Sequence, residues 1–300
     1  MKKLDGKVAV ITGASRGLGM AIAWAYAAAG AKVVLAARSK KDIQRNVEDL
    51  KAQGFDAAAC VCDVSHLEQV EALAAFTIQT YGRFDVWVNN AGIGGPYGAT
   101  LNLAPEDFLA VLRTNIFGAY YGSITAMRHY LPRRSGKLIN ILGAGDKRPV
   151  PNQNPYGSTK SWIRVFTLAL AKEYKNSGVG VYTLQPGLMD TDLLTEVTSF
   201  AEYEKRITGF MPFLIRAIGK KPEIAAHKAV WLASSATDGK TGLYVQVASP
   251  FSVLFGFWRE EMRRLLRLPE RRVEIHVTLI PSAVEPLSNA GEGGPPQQKK

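Results

Sequence analysis

Tyr156 and Lys160 stand one helical turn apart in the run Tyr156-Gly157-Ser158-Thr159-Lys160. Pro155 precedes them, and Trp162, Ile163, Val165, Phe166, Leu168 and Ala169 follow, a pattern that predicts a helix beginning at Pro155. Positions i and i+4 share a helix face, so the Lys160 ammonium is expected near the Tyr156 phenol. A neighbouring cation favours the phenolate and lowers a pKa that is about 10 in free tyrosine. That makes Tyr156 a candidate proton donor and acceptor near neutral pH. Taken alone, the pair also fits a surface tyrosine and lysine with no role.

A second set of residues suits a phosphate. The apolar run Lys7 to Thr12 ends in Thr12-Gly13-Ala14-Ser15-Arg16-Gly17-Leu18-Gly19, before an Ala-rich helical stretch to Ala29 and a second strand, Lys32 to Ala37. Strand, glycine loop, helix, strand is half of a dinucleotide-binding unit, whose backbone N–H groups at the helix start hold a pyrophosphate. The same loop also fits a purely structural turn, and its Gly-x-x-x-Gly-x-Gly spacing differs from the commonest fingerprint. At the end of the second strand an acidic residue would hold a ribose 2′-hydroxyl, whereas arginine pairs with a 2′-phosphate. Here Arg38 occupies that place and Arg16 lies inside the loop, which favours NADP over NAD unless both are simply solvated.

These residues need a scaffold, and the rest of the chain supplies its pattern. Helical stretches at 40–53 and 66–81 alternate with strands at 57–62 and 84–88, and further strands are expected at 137–142, 179–184 and 242–247. Such alternation predicts an α/β fold of one domain, a doubly wound parallel sheet of about seven strands with helices on both faces. The fourth strand ends in Asn89-Asn90-Ala91-Gly92, a polar turn at the carboxyl edge where these sheets bind ligands. A long helical region opens at Ala104-Pro105-Glu106 and carries Asn115 in its interior, where asparagine is mildly unfavourable. The stretch 192–221 reads as irregular, with apolar residues between Phe200 and Ile218, as a lid would be.

Together these motifs resemble the short-chain dehydrogenase/reductase family from about residue 4 to 248. The resemblance rests on the loop at Thr12 to Gly19, Asp63, the Asn89-to-Gly92 turn, Asn115, Tyr156 with Lys160, and Pro186-Gly187 with Thr191. It implies a Rossmann-like domain in which Tyr156 is the acid and base, Lys160 holds the nicotinamide ribose, and Asn115 positions a water. Cofactor contacts are implied for Gly13, Ser15, Arg16, Gly17, Leu18, Gly19, Arg38, Asp63, Val64, Asn90, Ala91, Gly92, Tyr156, Lys160, Pro186, Gly187 and Thr191. Asp63 would meet the adenine and Thr191 the carboxamide; no metal is expected. Family members commonly form dimers or tetramers through the helices near 105–130 and 155–175.

Two departures stand out. The family places a substrate-binding serine where this chain reads Asn140-Ile141-Leu142-Gly143, and glycine has no side-chain donor. Losing one donor to a developing oxyanion costs about 10² to 10³ in rate. Asn154, Gln153 or the backbone of 143–145 would have to fill in, or the site turns over slowly, or it binds cofactor without turnover. The second departure is an extension at 249–280: Phe251, Leu254, Phe255, Trp258, Met262, Leu265 and Leu266 recur at helical spacing beside Arg259, Arg263, Arg264 and Arg267. This basic amphipathic helix packs on its own domain, on another subunit or on a membrane surface. Val273, Ile275, Val277 and Leu279 then alternate like a strand, and 281–300 reads as a disordered tail.

Composition sets outer limits. Hydrophobic residues make up 47% and charged ones 21% of 300, ordinary for a globular protein. The net charge of +11 is scattered without a nucleic-acid motif, so an anionic small molecule is the expected partner. Cys60 and Cys62 are too few for a disulfide scaffold, and Met1-Lys2-Lys3 leads into a strand and glycine loop rather than an apolar leader. No run of about 20 apolar residues suggests a membrane span, and a cytoplasmic location is expected. The reading is an NADP-dependent oxidoreductase interconverting a carbonyl and a secondary alcohol on a hydrophobic molecule; the alternative is an NADP-binding sensor or assembly partner that has lost its chemistry.

Overall fold

A computed structural model describes residues 2–283. Strand and helix alternate through β1 (Val8–Thr12), α1 (Gly17–Ala28), β2 (Lys32–Ala37), α2 (Lys40–Ala52), β3 (Ala57–Val61), α3 (Leu67–Tyr81) and β4 (Val86–Asn89). Two helices, α4 (Pro105–Leu112) and α5 (Gly118–Arg133), then flank one π-helical turn, Arg113–Phe117. Next come β5 (Gly136–Ile141), α6 (Asn154–Glu173) and β6 (Val179–Gln185). The remainder comprises α7 (Asp192–Thr195), β7 (Glu196–Ser199), α8 (Ala201–Ile218), α9 (Pro222–Ala233), β8 (Leu243–Gln246), α10 (Pro250–Leu265) and β9 (His276–Leu279).

Seven strands form one sheet in the order β3-β2-β1-β4-β5-β6-β8, each parallel to its neighbours. Side chains of a strand alternate between faces, and both faces here are covered. From β1, Ala9 and Ile11 pack with Ile22 and Tyr26 of α1, Leu50 of α2 and Ala229 of α9. Val8 and Val10 pack with Leu73 of α3, Met127 of α5 and Leu170 of α6. This is the expected doubly wound Rossmann-like fold, and its strand order reverses between β1 and β4. The carboxyl ends of those two strands therefore diverge into a crevice, where such sheets hold ligands.

The helical region expected from Ala104 is present, running through α4, the π turn at Arg113–Phe117 and α5. One local expectation fails: the segment 192–221 is not irregular, and α8 runs through both Gly209 and Pro212. Packing overrides those two helix breakers, since Ile207 and Ile215 are buried and Phe213 meets Phe257 of α10 at 6.0 Å.

The extension packs on its own chain. Gly256 of α10 presses so closely on α8 that a Cβ there would lie 3.1 Å from the Ala217 carbonyl carbon. Buried Glu260 accepts from Arg216 at 2.8 Å and Arg263 at 2.9 Å. Its outward stripe of Phe251, Leu254, Phe255, Trp258 and Leu265 remains exposed. The expected strand at 273–279 is the shorter β9, which pairs in parallel with β7, Glu196 opposite His276 and Ser199 opposite Leu279. Of the tail expected at 281–300, residues 284–300 lie outside the described part. Among the described residues no helix is long and apolar enough to cross a membrane.

Candidate active site

The crevice is walled by backbone that tolerates no side chains. Gly13 has φ +64°, and a Cβ there would stand 2.7 Å from Ala91 Cα. A Cβ on Gly19 would stand 2.8 Å from the Gly13 carbonyl carbon. The loop is fixed from β4: Asn90 Nδ2 donates to the carbonyls of Thr12 at 3.0 Å and Gly13 at 3.1 Å, while the N–H groups of Asn90 and Ala91 donate to Thr12 Oγ1. Asn46 of α2 donates to the Ser15 carbonyl at 2.8 Å, and Leu18 packs against the core. α1 thus begins at Gly17 with its first N–H groups facing the crevice mouth, a fit for the pyrophosphate of a dinucleotide.

The crevice edge after β2 and β3 holds a mixed charge. Arg38 is exposed just after β2, and Asp63 accepts from Ser65 N and Oγ at 3.0 and 2.7 Å. Partial burial acts to raise the Asp63 pKa, but the Ser65 bonds and nearby Arg38 hold it below the usual value. Val64 is buried, and Gly118 approaches it so closely that a Cβ would lie 3.1 Å from Val64 Cβ. Arg16 points elsewhere: its guanidinium pairs with Asp192 of α7 at 3.1 Å and Glu196 of β7 at 3.0 Å. Thr191 lies beside Gly17, and Gly187 follows Pro186 at φ +81°.

The second cluster forms where β4, β5 and α6 meet. Tyr156 and Lys160 share the face of α6 turned to the sheet, with Lys160 Nζ 5.4 Å from the phenol ring centroid. Lys160 is 4% exposed and donates to the Ile141 carbonyl at 3.2 Å. Asn115 sits in the π turn, a distortion that often marks functional helices. Its amide donates to Ile93 O at 3.0 Å and Thr159 Oγ1 at 3.0 Å and accepts from Ile93 N at 2.9 Å, so it ties the Gly92 loop to α6. A Cβ on Gly92 would stand 3.2 Å from Asn115 Oδ1 and 3.6 Å from Lys160 Nζ, which measures how tightly the cluster closes.

The expected tuning of the phenol is not what the structure shows. Burial, then the charge of Asp146, pushes the Tyr156 pKa up to about 12, while burial pushes Lys160 down to about 8. Desolvation outweighs the attraction that i, i+4 spacing alone suggested. The space where the resemblance leads one to expect a serine is not empty either. Gly143 backs directly onto the phenol, and a Cβ there would stand 2.9 Å from Tyr156 Cζ and closer still to Oη. Asn154, one suggested substitute donor, instead bonds Thr100 Oγ1 at 3.3 Å.

Sequence reading passed over Asp146, Gln185 and Tyr244, which bond one another beside Gly143. An acid at the carboxyl end of one strand and an amide at the end of the next were the available signal. The β7 region was also missed as a structure: Tyr97 N donates to Thr198 O and Ser199 Oγ to Tyr97 O, joining β7 to the loop after β4. Among the described residues no cluster of His, Cys, Asp and Glu suits a metal ion.

A family model described as short chain dehydrogenase matches residues 7–202. The chain belongs to that family. This short-chain dehydrogenase is 34% identical over 256 residues to the 3beta-hydroxysteroid dehydrogenase 1 of Eggerthella lenta, spanning 85% of this chain and 97% of that one. Among solved structures it is similar to a 3-ketoacyl-(acyl-carrier-protein) reductase from Brucella melitensis complexed with NADH, at 31% identity and TM-score 0.73, covering 83% and 99% of the two chains. It is likewise similar to a variant actinorhodin polyketide ketoreductase with NADPH, at 27% identity and TM-score 0.75, covering 84% and 99%. The short-chain dehydrogenase described here is an NAD(P)-dependent oxidoreductase of carbonyl and alcohol groups on a small molecule.

Proposed function

We propose that this enzyme uses NADPH to interconvert a carbonyl and a secondary alcohol on a hydrophobic small molecule, with Tyr156 as acid and base. The observation that supports it is the convergence of Tyr156, Lys160 and Asn115 around Gly92 and Gly143, across the crevice mouth from the glycine loop. A bound reduced nicotinamide supplies hydride to the carbonyl carbon. Tyr156 Oη gives its proton to the carbonyl oxygen as that oxygen gains electrons, and takes one back in the oxidising direction. Lys160 holds a positive charge beside the phenol, which eases its passage through the anionic form. Asn115 keeps the Gly92 loop and α6 in register for that transfer.

NADP is favoured because Arg38 is exposed after β2, where no carboxylate could hold a 2′-hydroxyl. Arg16, paired with Asp192 and Glu196, would need to leave them to join it. Tyr97 and Tyr203 stack edge-on at 6.0 Å over buried Phe200 beside the crevice, an aromatic wall that suits an apolar substrate. Copies of the chain pair through the π turn, α5 and α6, where Phe117, Tyr120 and Val165 are exposed. In this reading residues 1–248 form the catalytic unit and 249–280 an extension to it, in a cytoplasmic enzyme.

The test is NADPH consumption against hydrophobic ketones, aldehydes and quinones, with Tyr156→Phe as control. Turnover that vanishes in the variant supports the reading. Firm NADPH binding with no turnover on any of them favours the second reading, a cofactor-binding protein without chemistry, to which Gly143 in the serine's place lends support.

A further inference from the structure

The loop between β5 and α6 is held by three side chains that the proposed reaction does not use. Gln185, at the end of β6, donates from Nε2 to the Gly143 carbonyl at 2.7 Å and to Asp146 Oδ1 at 2.9 Å. Its Oε1 accepts from Gly187 N at 2.9 Å, so every polar atom of this amide is engaged and its orientation is fixed. Asp146 Oδ2 accepts from the Tyr244 hydroxyl of β8 at 2.9 Å. Both Asp146 and Gln185 are only 7% exposed. Gly145, at φ +100°, brings the loop so close to α6 that a Cβ would lie 2.6 Å from the Gly157 carbonyl oxygen. That contact sets Asp146 against the helical turn that carries Tyr156.

We propose that Asp146 is a positioning residue for proton transfer at Tyr156: with Gln185 and Tyr244 it fixes the Gly143 carbonyl and the glycine surface on which the phenol rests. The proposal rests on the reading of Tyr156 given above. In place of a serine hydroxyl beside the tyrosine, this chain has a bare glycine, and bare glycine can support a ring only if its own backbone is immobile. The clamp provides that immobility from two neighbouring strands, β6 and β8. The Asp146 carboxylate also lies near the phenol, where a negative charge disfavours the phenolate, raises the proton affinity of Tyr156 and keeps the group in its acid form.

The titratable neighbours are few. Tyr156 faces Lys160 from its own helix and Asp146 from the loop. Asp146 in turn meets Tyr244, whose ring carries Lys147 Nζ at 4.0 Å and Arg164 Cζ at 5.7 Å. Burial, with the Asp146 bond and charge, raises the Tyr244 phenol far above its ordinary value, so it stays a donor throughout the accessible range.

Asp146→Asn separates charge from clamp. The asparagine oxygen can accept from Gln185 and its amino group can donate to Tyr244 Oη, so the bonds survive while the charge goes. Tyrosinate absorbance is titrated in the full chain and in Asp146→Asn, each corrected by the matching Tyr156→Phe protein. The expected result is a Tyr156 titration lower by about one pH unit in Asp146→Asn, with the alkaline limb of NADPH-dependent reduction moving down alongside it. NADPH affinity is expected to stay unchanged. Coincident titrations and coincident pH profiles overturn the proposal. If Asp146→Asn fails to fold, Tyr244→Phe keeps the charge and removes one bond. Its kcat is expected to fall about fivefold at constant KM for NADPH, the equivalent of one ordinary hydrogen bond, and an unchanged kcat overturns the positioning role. Activity persisting in Tyr156→Phe would sink the assigned role of Tyr156 instead, and the titration would still report whether Asp146 acts on that phenol.

Discussion

Substituting Gly143 by serine restores the residue that the family resemblance leads one to expect, and the structure predicts that it harms the enzyme. A Cβ at 143 stands 2.9 Å from Tyr156 Cζ, and closer to Oη, where ordinary contacts begin near 3.4 Å. Gly143 cannot retreat, because its carbonyl is held by Gln185. The phenol must therefore swing away by on the order of 1 Å, a displacement that costs about 10² in rate when it affects a reacting group. Crowding of this kind also costs about 1 to 3 kcal/mol of stability. Gly143→Ala and Gly143→Ser share the clash, and only serine adds a donor. Both are expected to lower kcat by similar factors, with KM for NADPH little changed and the melting temperature reduced. The measurement is steady-state reduction at saturating NADPH together with thermal unfolding. A Gly143→Ser enzyme that turns over faster than the parent at equal stability would refute the steric reasoning and show that the hydroxyl, not the space, was limiting.

Other consequences are open to test. Arg38→Ala is expected to weaken NADPH binding by about tenfold or more while leaving NADH unchanged, read by fluorescence titration; equal loss for both would refute the 2′-phosphate argument. Lys160→Met should abolish reduction yet stabilise the fold by at most about 3 kcal/mol at pH 7, because the buried ammonium is penalised below its pKa of about 8 against 10.5 when unfolded. That gain is full below about pH 8 and fades toward pH 10.5, so denaturant unfolding at pH 7 and pH 10 gives the sign. Deleting residues 269–300 removes β9 and the Arg271–Asp190 ion pair, leaving β7 held only through its bonds to Tyr97. Substrate KM is expected to rise with NADPH affinity unchanged, and a truncated enzyme with the parent's KM would show that the strap is idle.

The sheet was legible because parallel strands buried on both faces read as short apolar runs, and β1, β2 and β6 are buried almost throughout. The glycine loop was legible for a different reason: Gly13 and Gly19 leave no room for a Cβ, so the residue type itself records the geometry. The π turn at Asn115 was not legible, since no residue type demands it; it follows from the tie between Asn115 and Ile93 across the fold. α8 was hidden by Gly209 and Pro212, local preferences overruled by contact with α10. The pKa of Tyr156 was misjudged because sequence spacing reveals which charges are near but not how much water is lost, and Asp146 reaches the phenol from a loop with no periodicity to announce it.

The pairing of β7 with β9 has a consequence for how the molecule comes into being. In its strand pairing Glu196 waits for His276, whereas the main sheet is complete at Gln246. On a ribosome, chain through β8 can collapse and close the crevice before β9 exists, since domains form from the N-terminal side as they emerge. The crevice of the main sheet is thus finished early and the β7–β9 pair late, closed by a distant segment whose loop must first be gathered in. Chains interrupted between those two points would carry a complete main sheet beside a β7 that has no β9.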